Sequence, residues 1–254
     1  MRVGLFVPCY VDQLTPLVAE ATLRVLERAG CTVDYDPGQT CCGQPFANMG
    51  LAAEAARLAR AHLGRFARHA AVVCPSSSCV ATVRHHYAAL GVGTDAVGRR
   101  IRERTFELTE FLAGELGRVD LGARFPHRVA LLASCHGLRE LGLGRPSEVV
   151  GGAREAHPGE AGGPTERVLR AVAGLTLLAP ARDECCGFGG AFSAEFPEVS
   201  GRMGRAKLAD LAATGAEFVT ATDASCLLHL DGIRRREGGQ GPRAVHVAEI
   251  LAAS

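Results

Sequence analysis

Eight of the ten cysteines in this 254-residue chain fall into one pattern written twice. Cys9 is followed after 31 residues by Cys41-Cys42-Gly43 and after 36 more by Cys79, while Cys135 is followed after 49 by Cys185-Cys186-Gly187 and after 39 more by Cys226. A lone cysteine, a Cys-Cys-Gly and another cysteine make a metal-ligand layout. Soft thiolates gathered from separate loops suit iron–sulfur clusters or zinc, each of which takes about four such donors. Neighbouring cysteines cannot both pack inward from a strand, and Gly43 supplies the freedom that a tight ligand loop needs. Two copies in tandem imply a duplicated module with two sites.

The other candidates carry weaker signals. Cys31 opens a strand and reads as a core thiol; Cys74, just before Cys79, reads as packing first and as an extra thiolate second. His136 directly follows Cys135, and His229 comes three residues after Cys226, so either is a possible further ligand, with a capping or surface role the plainer reading. The run Gly187-Phe188-Gly189-Gly190 offers backbone N–H groups to cluster sulfurs or to an anion, or simply makes a tight turn. It is not a dinucleotide fingerprint, because no acidic residue ends a following strand at the expected distance. His85, His86, His127 and His246 carry no partner signal. No Ser-His-Asp order, phosphate loop or paired-carboxylate signature stands out, so hydrolysis and phosphoryl transfer have no support.

Strand and helix alternate around these positions. In the first half, strands are predicted at Arg2–Pro8, Cys31–Tyr35 and Ala70–Cys74, with a helix from Thr15-Pro16 to Gly30 and another through Leu51, Ala55, Leu58, His62 and Phe66. The second half repeats this, with strands at Arg128–Ala133, Leu175–Ala179 and Glu217–Ala221 and helices at Glu166–Ala173 and Ser200–Thr214. The fold class is therefore α/β: two pseudo-symmetric lobes from a duplicated module, parallel sheets flanked by helices. The modules are expected at 1–120 and 121–254, with the junction within Gly117 to Pro126. Every cysteine of the pattern then lies at or beyond the C-terminal end of a strand, where open α/β sheets place ligands. The Gly- and Pro-rich stretch from Gly142 to Pro164 reads as a surface insertion, mobile or partly disordered.

Composition narrows the class. A 47% hydrophobic content supports an ordinary core, and a net charge of +1 with no Trp and three Tyr leaves neither a basic stripe nor stacking platforms for nucleic acid. No signal-peptide core and no apolar run of about 18 residues is present, so the reading is a cytoplasmic protein without a transmembrane segment. In a reducing compartment ten cysteines point to metal or redox chemistry rather than disulfide staples. Three classes follow: an iron–sulfur electron carrier, a zinc-stabilised scaffold, and a metal-free thiol–disulfide enzyme. The last is weakest, since vicinal disulfides are strained and no Cys-x-x-Cys pair is present.

The segments Pro8-Cys9, Cys41-Cys42-Gly43-Gln44-Pro45, Pro75-Ser76-Ser77-Ser78-Cys79, Ser134-Cys135-His136, Cys185 to Gly190, Lys207 and Asp223 to His229 resemble the cysteine-rich (CCG) domain family. That family occurs in heterodisulfide reductase subunits and the iron–sulfur subunit of glycolate oxidase, and the likeness is most specific to the lactate utilization protein A (LutA/YkgE) family. The resemblance runs nearly end to end. It implies a cytoplasmic iron–sulfur protein, an oxidoreductase subunit working with two other lactate-utilization subunits, one ferredoxin-like, to oxidise L-lactate to pyruvate. The implied cofactor is one 4Fe-4S cluster per lobe, with zinc as the alternative. One departure is plain: heterodisulfide reductase relatives end each module in Cys-x-x-Cys, giving five thiolates to a noncubane cluster, whereas Ser76 and Asp223 stand at the first of those positions here. Four cysteines per half remain, which suffice for a cubane cluster or for zinc.

Overall fold

In the computed structural model, which describes residues 1–144, 146 and 162–254, both halves of the chain fold to one plan. The first runs β1 (Arg2–Leu5), α1 (Cys9–Leu14), α2 (Pro16–Arg28), β2 (Thr32–Tyr35), α3 (Gln44–Asn48), α4 (Ala52–Phe66), β3 (Val72–Cys74), α5 (Ser77–Ala81), α6 (Ala96–Glu103), β4 (Thr105–Glu107) and α7 (Leu108–Glu110). The second runs β5 (Arg128–Leu131), α8 (Pro164–Arg170), β6 (Thr176–Leu178), α9 (Ala191–Glu195), α10 (Pro197–Ala213), β7 (Phe218–Ala221), α11 (Ala224–Arg236), β8 (Arg243–His246) and α12 (Val247–Ala252). A π-helical turn at His136–Glu140 stands after β5 where α1 stands after β1. The insertion expected from Gly142 to Pro164 lies over most of its length outside the described residues.

Each half builds a four-stranded sheet, in the orders β2-β1-β3-β4 and β6-β5-β7-β8, with every pair parallel. The order reverses beside β1 and beside β5, which makes the crevice past their C-terminal ends the natural ligand position of each sheet. Parallel sheets are covered on both faces, and side chains alternate accordingly. Val3, Leu5 and Val73 face one core, while Phe6, Val72 and Cys74 face another. In the second sheet Val129 and Leu131 face the first of these cores, and Ala130, Leu132, Val219 and Ala221 face a third.

The shared core between the sheets is filled by helices from both halves. α2 buries Val18, Ala21, Thr22, Val25 and Leu26, the spacing of one apolar helical stripe, behind a proline at its first turn. Facing it in the same core are Val168 and Leu169 of α8 and Val247, Ala248, Ile250 and Leu251 of α12. Arg28 closes this seam by donating to the Leu251 and Ala252 carbonyls, both at 3.1 Å. Cys31 is 8% exposed in this core, the place its sequence context suggested. No helix of the described residues is long and apolar enough to cross a membrane.

At the end of β4 a carboxyl is fully buried. Glu107 Oε2 accepts from the backbone N–H groups of Thr109 (2.7 Å) and Glu110 (3.2 Å), capping α7, while Oε1 has no partner. Burial outweighs these bonds and pushes the group up to about 8. A carboxyl raised on folding stabilises the fold most below its unfolded value of 4.5 and loses that contribution as the pH climbs through about 8. Glu107→Gln should therefore melt close to the parent near pH 5 and above it near pH 9, the difference growing across that window. Equal melting-temperature differences at both ends would show that Glu107 stays ionised in the fold.

Candidate metal centre

The strand ends set the cysteines out in the same way twice. Cys9 opens α1 beyond β1, Cys41 and Cys42 follow β2, and Cys79 lies in α5 beyond β3. Cys135, Cys185-Cys186 and Cys226 hold the matching places beyond β5, β6 and β7, with Cys226 in the first turn of α11. Cys79 sits in the first turn of α5, behind the N-cap residue Ser76.

Within each half the sulfurs form a chain of contacts. Cys9 meets Cys41, Cys41 meets Cys42, and Cys42 Sγ lies 3.5 Å from Cys79 Sγ. Cys135 meets Cys185, Cys185 meets Cys186, and Cys186 meets Cys226. Both chains open on one cleft of about 830 Å³, which all eight of these residues line. Among the described residues no three His, Cys, Asp or Glu side chains are preset around a single ion. The fit to a metal centre lies instead in the donor set: four soft sulfurs per half, connected and facing the same space.

The two Cys-Cys-Gly turns share one mechanism. Gly43 and Gly187 have φ of +92° and +88°, a backbone that L side chains rarely adopt, and each sends its N–H back to the first cysteine, at 3.3 Å to Cys41 Sγ and 3.4 Å to Cys185 Sγ. Each glycine also lies against the second helix after it, α4 or α10. A Cβ on Gly43 would come 3.1 Å from the Ala55 carbonyl oxygen of α4, and one on Gly187 would come 2.7 Å from both Met203 Cβ and the Ser200 carbonyl oxygen of α10.

These contacts single out one thiol per chain for ionisation. Hydrogen bonds from Cys42, Cys9 and the Gly43 N–H hold Cys41 far below the ordinary thiol value. Cys185 is held down in the same way by Cys135, Cys186 and the Gly187 N–H. Cys9 and Cys135, which donate to them, are pushed up, as are Cys42 and Cys186, by the same bonds and by burial. Each quartet thus carries a preferred anionic sulfur.

Tethers fix the loops. Gln39 accepts from Val7 N at 2.7 Å and donates to the Leu5 carbonyl at 3.2 Å, tying the approach to Cys41 onto the turn before Cys9. The buried Tyr87 hydroxyl donates to the Cys42 carbonyl at 2.8 Å. In the second half Lys207, 1% exposed, donates to the Arg182 carbonyl and pairs with Asp210 at 3.2 Å, holding the approach to Cys185. Ser200 Oγ donates to the Gly187 carbonyl at 2.8 Å.

The remaining candidates divide. Cys74 is fully buried with its thiol against Cys79 and does not line the cleft. His136 does line it, with Nδ1 3.7 Å from Cys135 Sγ and Nε2 3.1 Å from Gln44 Nε2. His229 turns away, its Nε2 3.5 Å from Ser200 Oγ and its ring tilted against Phe188. His246 caps α12, and His86 and His127 pair with Glu140 and Glu217.

Three cross-half contacts escaped sequence reasoning, although matching positions in the two patterns carry them. The residue after each lone cysteine touches the residue after the opposite Cys-Cys-Gly. Tyr10 packs edge-on to Phe188 at 5.5 Å between ring centroids, and His136 meets Gln44. Ser76 and Asp223, three residues before Cys79 and Cys226, join directly, with Ser76 Oγ donating to Asp223 Oδ1 at 2.8 Å.

The family model of the Cysteine-rich domain (CCG) matches residues 3–84 and 153–231 of this chain. "Lactate utilization protein A" of Oceanobacillus iheyensis is 34% identical over 99% of this chain and 96% of its own length. The protein of that name from Exiguobacterium sp. is 38% identical over 98% and 96%, and that from Bacillus subtilis 33% identical over 99% of both. Among solved structures, a putative Asp/Glu racemase from Yersinia pestis aligns over 99% of this chain and 95% of its own at 11% identity with a TM-score of 0.36, a likeness too loose to bear on the chemistry.

Proposed function

The chain belongs to the lactate utilization protein A family, and on that premise we propose that it is the iron–sulfur electron-transfer subunit of a multi-subunit system oxidising L-lactate to pyruvate. Cys9, Cys41, Cys42 and Cys79 of the first module (1–120) hold one cluster, and Cys135, Cys185, Cys186 and Cys226 of the second (121–254) hold the other. The observation that carries this reading is the pair of four-thiol chains opening on one cleft. A bound cluster supplies one-electron redox chemistry, and two of them match the two electrons released by lactate oxidation.

The chain's own part is to bind, orient and shield. Cys41 and Cys185 offer a thiolate ready to take metal, and the Gly43 and Gly187 N–H groups steady the sulfur charge. Burial of Cys42, Cys79 and Cys186 at 3%, 7% and 4% exposure keeps water from the inner donors. The partners proposed are two other lactate-utilization subunits, one ferredoxin-like, meeting this chain in the cytoplasm.

Anaerobic purification followed by iron, acid-labile sulfide and zinc analysis tests the proposal. Iron with sulfide at about four per half is expected. Zinc at about one per half would replace the electron carrier with a zinc-stabilised scaffold. Absence of all three would leave the cysteines to thiol–disulfide chemistry of the heterodisulfide reductase kind.

A further inference from the structure

The first half holds a fifth sulfur in line with its four. Cys74 is the last residue of β3, five before Cys79, and Ala221 is the last residue of β7, five before Cys226. Both are fully buried, so at this place the two halves differ by one thiol group. Cys74 meets Cys79, which extends the first chain of contacts to Cys9, Cys41, Cys42, Cys79 and Cys74. The second chain has a methyl group at the matching position.

Cys74 stands behind Cys79 rather than at the cleft, which it does not line. It shares an apolar core with Phe6, Val72, Val80 and Val83, surroundings in which a thiol keeps its proton. Cys42 and Cys79, whose sulfurs are 3.5 Å apart, give up their protons on taking metal. The S–H that bridges Cys74 and Cys79 is then that of Cys74, and it donates to the Cys79 thiolate. Such a bond favours the state with more negative charge, and hydrogen bonds to the sulfurs are among the features that set a cluster's potential.

We propose that Cys74 is a hydrogen-bond donor to Cys79, not a ligand, and that through Cys79 it raises the reduction potential of the first centre. Ala221 leaves the second centre without that donor. This rests on the iron–sulfur reading above and adds a direction to it, since an electron shared between the halves is drawn by Cys74 toward the first.

The test reads the first centre alone by placing Cys186→Ala in every protein and titrating anaerobically with dithionite, followed by absorption and electron-paramagnetic spectra. Cys74→Val removes the donor and keeps the space filled. Cys74→Ala installs the side chain of the matching second-half position, so a folding failure of one variant, seen by circular dichroism, leaves the other. Both are expected to keep the parent's iron and sulfide and to be harder to reduce by about fivefold in the equilibrium constant, about 40 mV for one electron. Cys74→Ser keeps a donor and should stay within about twofold of the parent. A parent-like potential in Cys74→Val would overturn the proposal, because Cys74 would then only fill space. An equal shift in Cys74→Ser and Cys74→Val would overturn it too, and so would loss of iron in Cys74→Val, which would make Cys74 a ligand. A parent that carries no iron and sulfide sinks the iron–sulfur reading itself, an outcome distinct from all of these.

Discussion

Cys42→Ala should empty the first half of its metal and leave the second loaded, so that iron and sulfide per chain fall by about half, and Cys186→Ala should do the converse. Both residues are the inner links of their sulfur chains: Cys42 joins Cys41 to Cys79, and Cys186 joins Cys185 to Cys226. Both are also nearly buried, so water cannot take the place of the lost thiolate. Three thiolates remain in the mutated half, too few for a closed four-donor site, while the other half keeps four. The shared cleft makes the outcome informative, because all eight sulfurs line it. Complete loss in either variant would mean that donors from both halves grip one centre. Metal analysis, with spectra of each variant summed against that of the parent, distinguishes the two arrangements.

Gly187→Ala is the second large effect. At φ +88° a Cβ costs about 1–2 kcal/mol in the backbone alone. The added carbon would also press to 2.7 Å on the Ser200 carbonyl oxygen, part of a helix backbone that cannot swing aside as a side chain can. Overpacking of this kind costs about 1–3 kcal/mol more, and relief comes only by moving the turn that carries Cys185 and Cys186. A lower melting temperature and loss of metal from the second half alone are expected. Gly43→Ala should be milder, since its nearest neighbour lies at 3.1 Å and a shift of a few tenths of an ångström accommodates it. A ranking in the opposite order, by melting temperature and iron content, would show that contact with α4 and α10 does not set the turns.

Much of the fold was legible because its signals are local. Periodicity placed α2, α4 and α10 and strands β1, β2, β3, β5, β6 and β7 to within a few residues, and the repeated cysteine spacing announced the duplication. The misses have physical reasons. β4 and β8 are only three and four residues long and carry Glu107 or Arg243 where an apolar alternation would be looked for, so they are strands by pairing with β3 and β7 rather than by pattern. The short helices α1, α3 and α9 turn the chain at the cleft and have no stripe of their own to read. At the site, the eight cysteines that the repeated pattern singles out are those that line the cleft. What they lean on was not legible: Tyr10 against Phe188, Gln44 against His136 and Ser76 against Asp223 are partners across more than 90 residues that no spacing rule links. His229, close to Cys226 in sequence, shows the converse, since its helix turns it toward Ser200.

The core between the two sheets belongs to neither of them. α2 and α12 come from opposite ends of the chain and bury their apolar stripes in common, and Arg28 ties one to the other. Cut at the junction, each piece would bare a greasy flank, so the repeats have lost the autonomy that tandem copies ordinarily keep. Melting should accordingly be one concerted collapse, and a lesion confined to either sulfur chain would be paid for by the whole molecule.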